Sequence, residues 1–178
     1  LSTLAEWVGR VGVALQPLAD RLILHLLQGG VLHADETPVA QLDPGSGKTQ
    51  RAYLWAYRSN DLESGPRIIV FNYQTSRSGK HVRDFLDGWQ GHLVVDDYAG
   101  YKALFTLTDN CTELGCWAHA RRKFFDLHQA SASTVAFEAL QRIGKLYAVE
   151  DEGKHLTIET RQRLRTEKSL PILQSLHD

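Results

Sequence analysis

Three acids stand where a carboxylate could hold a metal ion. Asp35 sits in His33-Ala34-Asp35-Glu36-Thr37, inside a run that reads as a core strand. A buried charge is costly unless it is paired or bound to metal. Strand alternation groups Asp35 with His33 and Thr37 on one face, and Leu32, Ala34 and Glu36 on the other. On spacing alone, an edge strand carrying solvent-facing acids explains Asp35 equally well. Asp96 and Asp97 close a second run, Leu93-Val94-Val95-Asp96-Asp97-Tyr98. Acids at the carboxyl end of a buried strand are placed to hold a cation at the sheet edge. Their side chains should point to opposite faces. Asp97 suits the cap of a helix starting at Tyr98, and Asp96 suits the site, with Asp97 as the alternative acid. If the two strands are neighbours, Asp35 and Asp96 converge. Two carboxylates sharing a divalent cation are the minimum of a two-metal phosphoryl-transfer site. No third acid announces itself: Glu138, Glu150 and Glu167 fall in a helical tail and read as solvated helix-face charges.

Other clusters carry weaker signals. His119, Arg121, Arg122 and Lys123 form a basic cluster on an expected helix, with His119, Arg122 and Lys123 on one face. Such a patch suits backbone phosphate, and it also suits a plain solvated helix face. Gly45-Ser46-Gly47-Lys48-Thr49 approximates a phosphate-binding loop, but Leu42 stands where the first Gly belongs and a strand follows where a helix should. A hairpin turn is expected there and no nucleotide site is assigned, leaving Lys48 and Arg51 free to meet phosphate. Cys111, Cys116 and His119 lack the fourth ligand and the tight Cys pair of structural zinc. They read as small buried residues near a strand end.

The elements that must position these residues follow from hydrophobic period. Leu4, Val8, Val11, Leu15, Leu18, Leu22 and Leu26 recur at steps of three and four, an amphipathic helix that Pro17 should kink or split. Strand-like runs follow at Val31 to Ala40, Ala52 to Arg58 and Arg67 to Tyr73, joined by short turn-rich linkers that favour antiparallel neighbours. Ser78 to Trp89 reads as a helix with Val82, Phe85, Leu86 and Trp89 facing in. His92 to Asp96 is a fourth strand, which the intervening helix lets return in parallel. A short helix over Ala99 to Leu107, a fifth strand over Cys111 to Cys116 and helices from Trp117 onward complete the chain. The fold class is therefore α/β, and the order is that of a ribonuclease H-like mixed sheet: three antiparallel strands, then parallel ones, with flanking helices and a helical C-terminal extension. The expected divisions are a leading helical segment over 1–30, the core over 31–130 and a helical insertion over 131–178.

Composition sets bounds. A chain of 178 residues with 43% apolar and 23% charged residues can fold around its own core without staples. No run approaches the 18 or so apolar residues of a membrane span, and the start lacks the pattern of a signal peptide. Two cysteines make no disulfide framework, which favours a reducing, cytoplasmic setting. With 20 basic against 21 acidic residues, any nucleic-acid contact must rest on local patches. The chain has no Met and ends inside a helical pattern, so it reads as a piece of a longer protein.

Several long motifs then occur in one order. His33-Ala34-Asp35-Glu36-Thr37-Pro38, Tyr53-Leu54-Trp55, Asp96-Asp97-Tyr98-Ala99-Gly100-Tyr101 and Cys116-Trp117-Ala118-His119-Ala120-Arg121-Arg122-Lys123-Phe124 together resemble the insertion-sequence 66 family of DDE transposases across nearly the whole chain. The resemblance implies a ribonuclease H-like core with an Asp-Asp-Glu triad, Mg²⁺ or Mn²⁺ as cofactor, and DNA cleavage and strand transfer at the ends of a mobile element. DNA is the implied partner, and such enzymes commonly act as homo-oligomers. The first acid carries over to Asp35. The second carries over to Asp96, although Asp97 replaces the Gly of the family's Asp-Gly-Tyr. The family's third acid lies in an Asn-Asn-x-x-Glu-Arg motif with no match here, so the isolated chain is expected to be inactive. The competing readings are a ribonuclease H-like nuclease drawing on Glu138 or Glu150, and a non-catalytic nucleic-acid-binding or oligomerisation module.

Overall fold

A computed structural model describes residues 2–62, 65–107 and 110–177. The chain divides into two compact units, Leu1–Gly115 and Cys116–Asp178.

The first unit is built on a five-stranded sheet. Its elements are α1 (Ser2–Leu26), β1 (Val31–Asp43), β2 (Lys48–Ser59), β3 (Ile69–Gln74), α2 (Lys80–Phe85), β4 (Gly91–Val95), α3 (Ala99–Leu107) and β5 (Cys111–Gly115). The strand order is β3-β2-β1-β4-β5. β1 pairs antiparallel with β2, and β2 with β3, whereas β1 with β4 and β4 with β5 run parallel. This is the ribonuclease H-like arrangement that the sequence predicts.

The β1–β2 hairpin is longer than its hydrophobic runs suggest. Pairing continues from Leu32↔Ser59 out to Asp43↔Lys48. Gly45 (φ 88°) and Gly47 (φ 66°) then take left-handed backbone that other residues resist. Ser46 locks the turn: its Oγ donates to the Asp43 carbonyl at 2.9 Å and accepts from Lys48 N–H at 3.1 Å. The Gly-Ser-Gly-Lys segment is thus a hairpin tip followed by a strand.

One face of the sheet carries the core. Leu32, Trp55, Tyr57, Leu93 and Val95 bury against Val82 and Leu86 from the α2 region and Tyr101 and Leu104 of α3. Tyr57 stacks flat on Phe85 with ring centroids 3.8 Å apart. On β3, Val70 is buried while Ile69, Phe71 and Tyr73 are exposed. α2 is shorter than the expected Ser78–Trp89 helix. It stops at Phe85, and a turn through Gly88 (φ 72°) carries Trp89 back toward the core. There the Trp89 indole N–H donates to the Gly29 carbonyl at 2.9 Å.

The leading helix departs from expectation twice. It runs unbroken through Pro17. The carbonyl left without its amide, that of Val13, lies on a fully exposed stretch where water can serve it. Its apolar stripe also lacks cover: Leu4, Val8, Val11, Leu15, Leu18 and Leu22 are 38–69% exposed, and only the last turn, through Leu26, enters the core.

The second unit is helical: α4 (Trp117–Ser131), α5 (Thr134–Gly153), α6 (Ile158–Leu164), a π turn (Arg165–Ser169) and α7 (Leu170–His177). α4 ends on Ala132 in left-handed conformation, and the Ser133 side chain caps α5 by accepting from Ala136 N–H at 3.2 Å. α5 buries Ala136, Ala139, Ile143, Leu146 and Val149, a helical stripe. The π turn precedes Pro171, which cannot donate to the carbonyl four residues back; one wider turn absorbs the mismatch. Among the described residues, no helix is long and apolar enough to cross a membrane.

Candidate functional site

The parallel pairing of β1 and β4 brings the two acid-bearing segments together. The bridged register is Val31↔His92, Leu32↔Leu93 and His33↔Val94. Extrapolated two residues past the end of that ladder, the register would put Asp35 level with Asp96, the first residue after β4. Both lie on the face of His33 and Val94, opposite the buried Leu32, Ala34, Leu93 and Val95. Asp35 is exposed and Asp96 half-buried.

Each carboxylate is tied to backbone. Asp35 Oδ1 accepts from Glu36 N–H at 2.9 Å. Asp96 Oδ1 accepts from Tyr98 N–H at 3.0 Å, which fixes the turn into α3. Asp96, the acid two residues before that N–H, closes this turn. Asp97 points to solvent and pairs with Lys102 at 3.1 Å. Lys102 also binds Glu113 at 2.6 Å. Ala132 alone among the described non-glycine residues has positive φ, so position 97 does not require the freedom of Gly.

Sequence reasoning placed Glu36 on the face of Leu32 and Ala34 and took it no further. It is the only residue among the described Asp, Glu, Lys, Arg and His that is buried. Its Oε1 accepts from Arg77 Nε at 2.8 Å and from Nη2, and its Oε2 accepts from the Tyr101 hydroxyl at 2.6 Å. Burial pushes the Glu36 carboxyl above its ordinary value, against the pull of the Tyr101 and Arg77 hydrogen bonds, and the Asp96 charge adds to the rise. Burial, together with the Glu36 bond and charge, raises the Tyr101 hydroxyl strongly. The signal that marks Glu36 is the alternation itself: a charged residue in register with two core positions.

The donor set suits a hard divalent cation. Carboxylates such as those of Asp35 and Asp96 are oxygen ligands of the kind Mg²⁺ and Mn²⁺ take. Among the described residues, no group of three or more His, Cys, Asp or Glu side chains converges into a fuller cage. Glu150 is held by the Arg165 fork, and Glu138 lies 3.8 Å from Arg142, both within the second unit. Cys111 is buried at the start of β5, and burial pushes its thiol up.

The basic cluster lies on α4 of the second unit. Arg121, Arg122 and Lys123 are exposed and His119 is half-buried. Arg121 and Arg122 line a shallow depression with Ala118, Phe125 and Asp126. α4 buries none of its described side chains, so this surface offers guanidinium groups beside an exposed aromatic ring.

The model of the transposase IS66 family matches residues 1–178. Three uncharacterized proteins of Sinorhizobium fredii (strain NBRC 101917 / NGR234) are similar: y4qI at 38% identity over 99% of this chain, y4jD at 33% over 98%, and y4hP at 31% over 99%. The chain spans about a third of the length of these curated relatives, 34–36%. The cryo-EM structure of the simian T-cell lymphotropic virus intasome in complex with PP2A regulatory subunit B56 gamma aligns at TM-score 0.32 and 10% identity, covering 78% of this chain and 48% of that one.

Proposed function

The chain belongs to the IS66 family of transposases, and from that premise we propose that it forms the part of a DNA transposase core that carries two metal-holding acids, Asp35 and Asp96. The observation that supports this reading is the parallel β1–β4 pairing, whose register, continued by two residues, would bring Asp35 and Asp96 level with one another. The reaction is in-line attack on a DNA phosphodiester, by water for nicking and by a freed 3′-hydroxyl for joining. A bound Mg²⁺ or Mn²⁺ supplies activation of the attacking oxygen and stabilisation of the leaving one.

The chain's own residues hold and orient. Asp96, already fixed by the Tyr98 amide, presents its remaining lone pairs at the end of β4. Asp35, its Oδ1 bonded by the Glu36 N–H, presents its carboxylate from β1. Arg121, Arg122 and Lys123, with His119, supply backbone phosphate contacts from α4. Such contacts position DNA without reading its sequence, so affinity should fall steeply with salt.

The test is Mn²⁺ binding, followed by electron paramagnetic resonance of the free ion. Asp35→Asn and Asp96→Asn should each weaken binding about tenfold or more, and the same substitutions in the full-length protein should abolish strand cleavage. Binding that is unchanged in both variants overturns the reading. Arg122→Ala should lower DNA affinity and reduce the salt slope by about one.

A further inference from the structure

Glu36 occupies a position where a charge is expensive. Its pair with Arg77 is only half-buried, and taking a charge such as Glu36 out of water costs much of what the attraction returns, so the pair is a poor source of stability. What such a pair provides is fixed geometry, and here the geometry leads from one acid to the other. Glu36 N–H bonds the Asp35 carboxylate at 2.9 Å. The Glu36 carboxylate takes the Arg77 fork on one oxygen and the Tyr101 hydroxyl on the other. The Arg77 guanidinium lies 3.7 Å over the centre of the Tyr98 ring, and the Tyr98 hydroxyl donates to the Arg77 carbonyl. Tyr98 packs edge-on against Tyr101, with centroids 6.0 Å apart. The Tyr98 N–H then bonds Asp96 at 3.0 Å. The ladder between β1 and β4 has ended by this point, at His33↔Val94. Past the last β1–β4 pair among the described residues, the side-chain chain from Glu36 runs on to the Asp96 turn.

We propose that Glu36 is a positioning residue, which fixes the Asp96 turn against β1 through Arg77, Tyr98 and Tyr101 and so sets the spacing of the two carboxylates. The spacing matters for catalysis only on the reading that Asp35 and Asp96 hold the metal. The link from Glu36 to Asp96 does not depend on that reading. Glu36 itself is buried on the face of Leu32 and Ala34, away from that of Asp35.

Two measurements on this chain separate the claims. The first is the amide resonance of Tyr98 without metal, in Glu36→Gln, which keeps the shape and loses the charge, and in Arg77→Ala, whose half-exposed side chain the fold can lose. A shift of that resonance in both folded variants is the expected result. Val70→Ala, a core truncation on β3 outside the chain of bonds, should lower the melting temperature and leave Tyr98 unmoved. The second is Mn²⁺ affinity, expected to fall about tenfold or more in Glu36→Gln and Arg77→Ala, as losses of supporting groups do. An unmoved Tyr98 amide in Glu36→Gln and Arg77→Ala overturns the proposal, as does wild-type Mn²⁺ affinity in both when Asp35→Asn and Asp96→Asn weaken it. If the two Asp variants bind Mn²⁺ like wild type, the metal reading fails, and the Tyr98 shift alone decides whether Glu36 fixes Asp96.

Discussion

The backbones of Gly79 and Gly100 touch: a Cβ on Gly79 would stand 2.1 Å from the Gly100 carbonyl oxygen. The contact joins the start of α2 to the first turn of α3. The Tyr98 ring crosses Gly100 from the other side, 2.2 Å from where a Cβ would be. Gly79→Ala must push α2 and α3 apart. It should cost about 1–3 kcal/mol, as overpacking does, read from the denaturation midpoint. Gly144→Ala, in an open helical position with nothing nearby, should instead stabilise by about 0.5–1 kcal/mol.

Asp97 is the acid that can be spared. Its side chain is 76% exposed and its partner is the exposed Lys102. Exposed pairs of this kind are worth little. Asp97→Gly should keep Mn²⁺ affinity within about twofold of wild type, whereas Asp96→Asn should not. Equal losses in the two variants would exchange their roles.

Ala132 ends α4 at φ 51° and ψ 31°, a conformation that L-residues with a Cβ resist. Ala132→Gly removes the clash and should raise stability by about 0.5–1 kcal/mol. Urea denaturation followed by helical circular dichroism would measure it, and a lower midpoint would contradict the strain argument.

The Tyr57 hydroxyl is fully buried and has no hydrogen-bond partner among the described residues. Its ring is fixed by the stack on Phe85. Tyr57→Phe deletes the unpaired oxygen and keeps the ring, so it should be neutral or stabilising by about 1 kcal/mol. A marked loss of stability would show that the hydroxyl has a partner, such as a buried water.

Much of the fold is legible in residue order because each strand carries its own apolar run and each helix its own stripe. Leu32, Ala34, Leu93 and Val95 mark strands by alternation, and Ile143, Leu146 and Val149 mark a helix by spacing. The candidate acids are legible because Asp35 and Asp96 interrupt such runs. The chain of bonds beneath them is not. Arg77 lies 41 positions and Tyr101 65 positions from Glu36, and no period links residues that only a sheet crossover brings together. Alternation puts Glu36 in register with Leu32 and Ala34, but the partners that neutralise it come from segments no local pattern links to it. The Pro17 result fails for a related reason. Proline carries a local penalty, but whether the orphaned carbonyl is buried or wet is a property of the surroundings.

The β1–β2 hairpin is unevenly supported along its length. Near its root, β1 pairs with β4 over Val31–His33, and β2 pairs with β3 over Tyr53–Arg58. Beyond Ala52 the backbone ladder among the described residues joins only β1 and β2, out to Asp43 and Lys48, with the Tyr73 hydroxyl of β3 reaching across to Gln41. A two-stranded ribbon in water is marginal by itself, so opening fluctuations start at the glycine tip and die out toward the root. Asp35 and Glu36 sit opposite Ala56 and Trp55, inside the part that β3 backs. The carboxylates thus belong to the slow-exchanging end of a strand whose far end breathes, and proteases would nick the tip long before they disturbed the site.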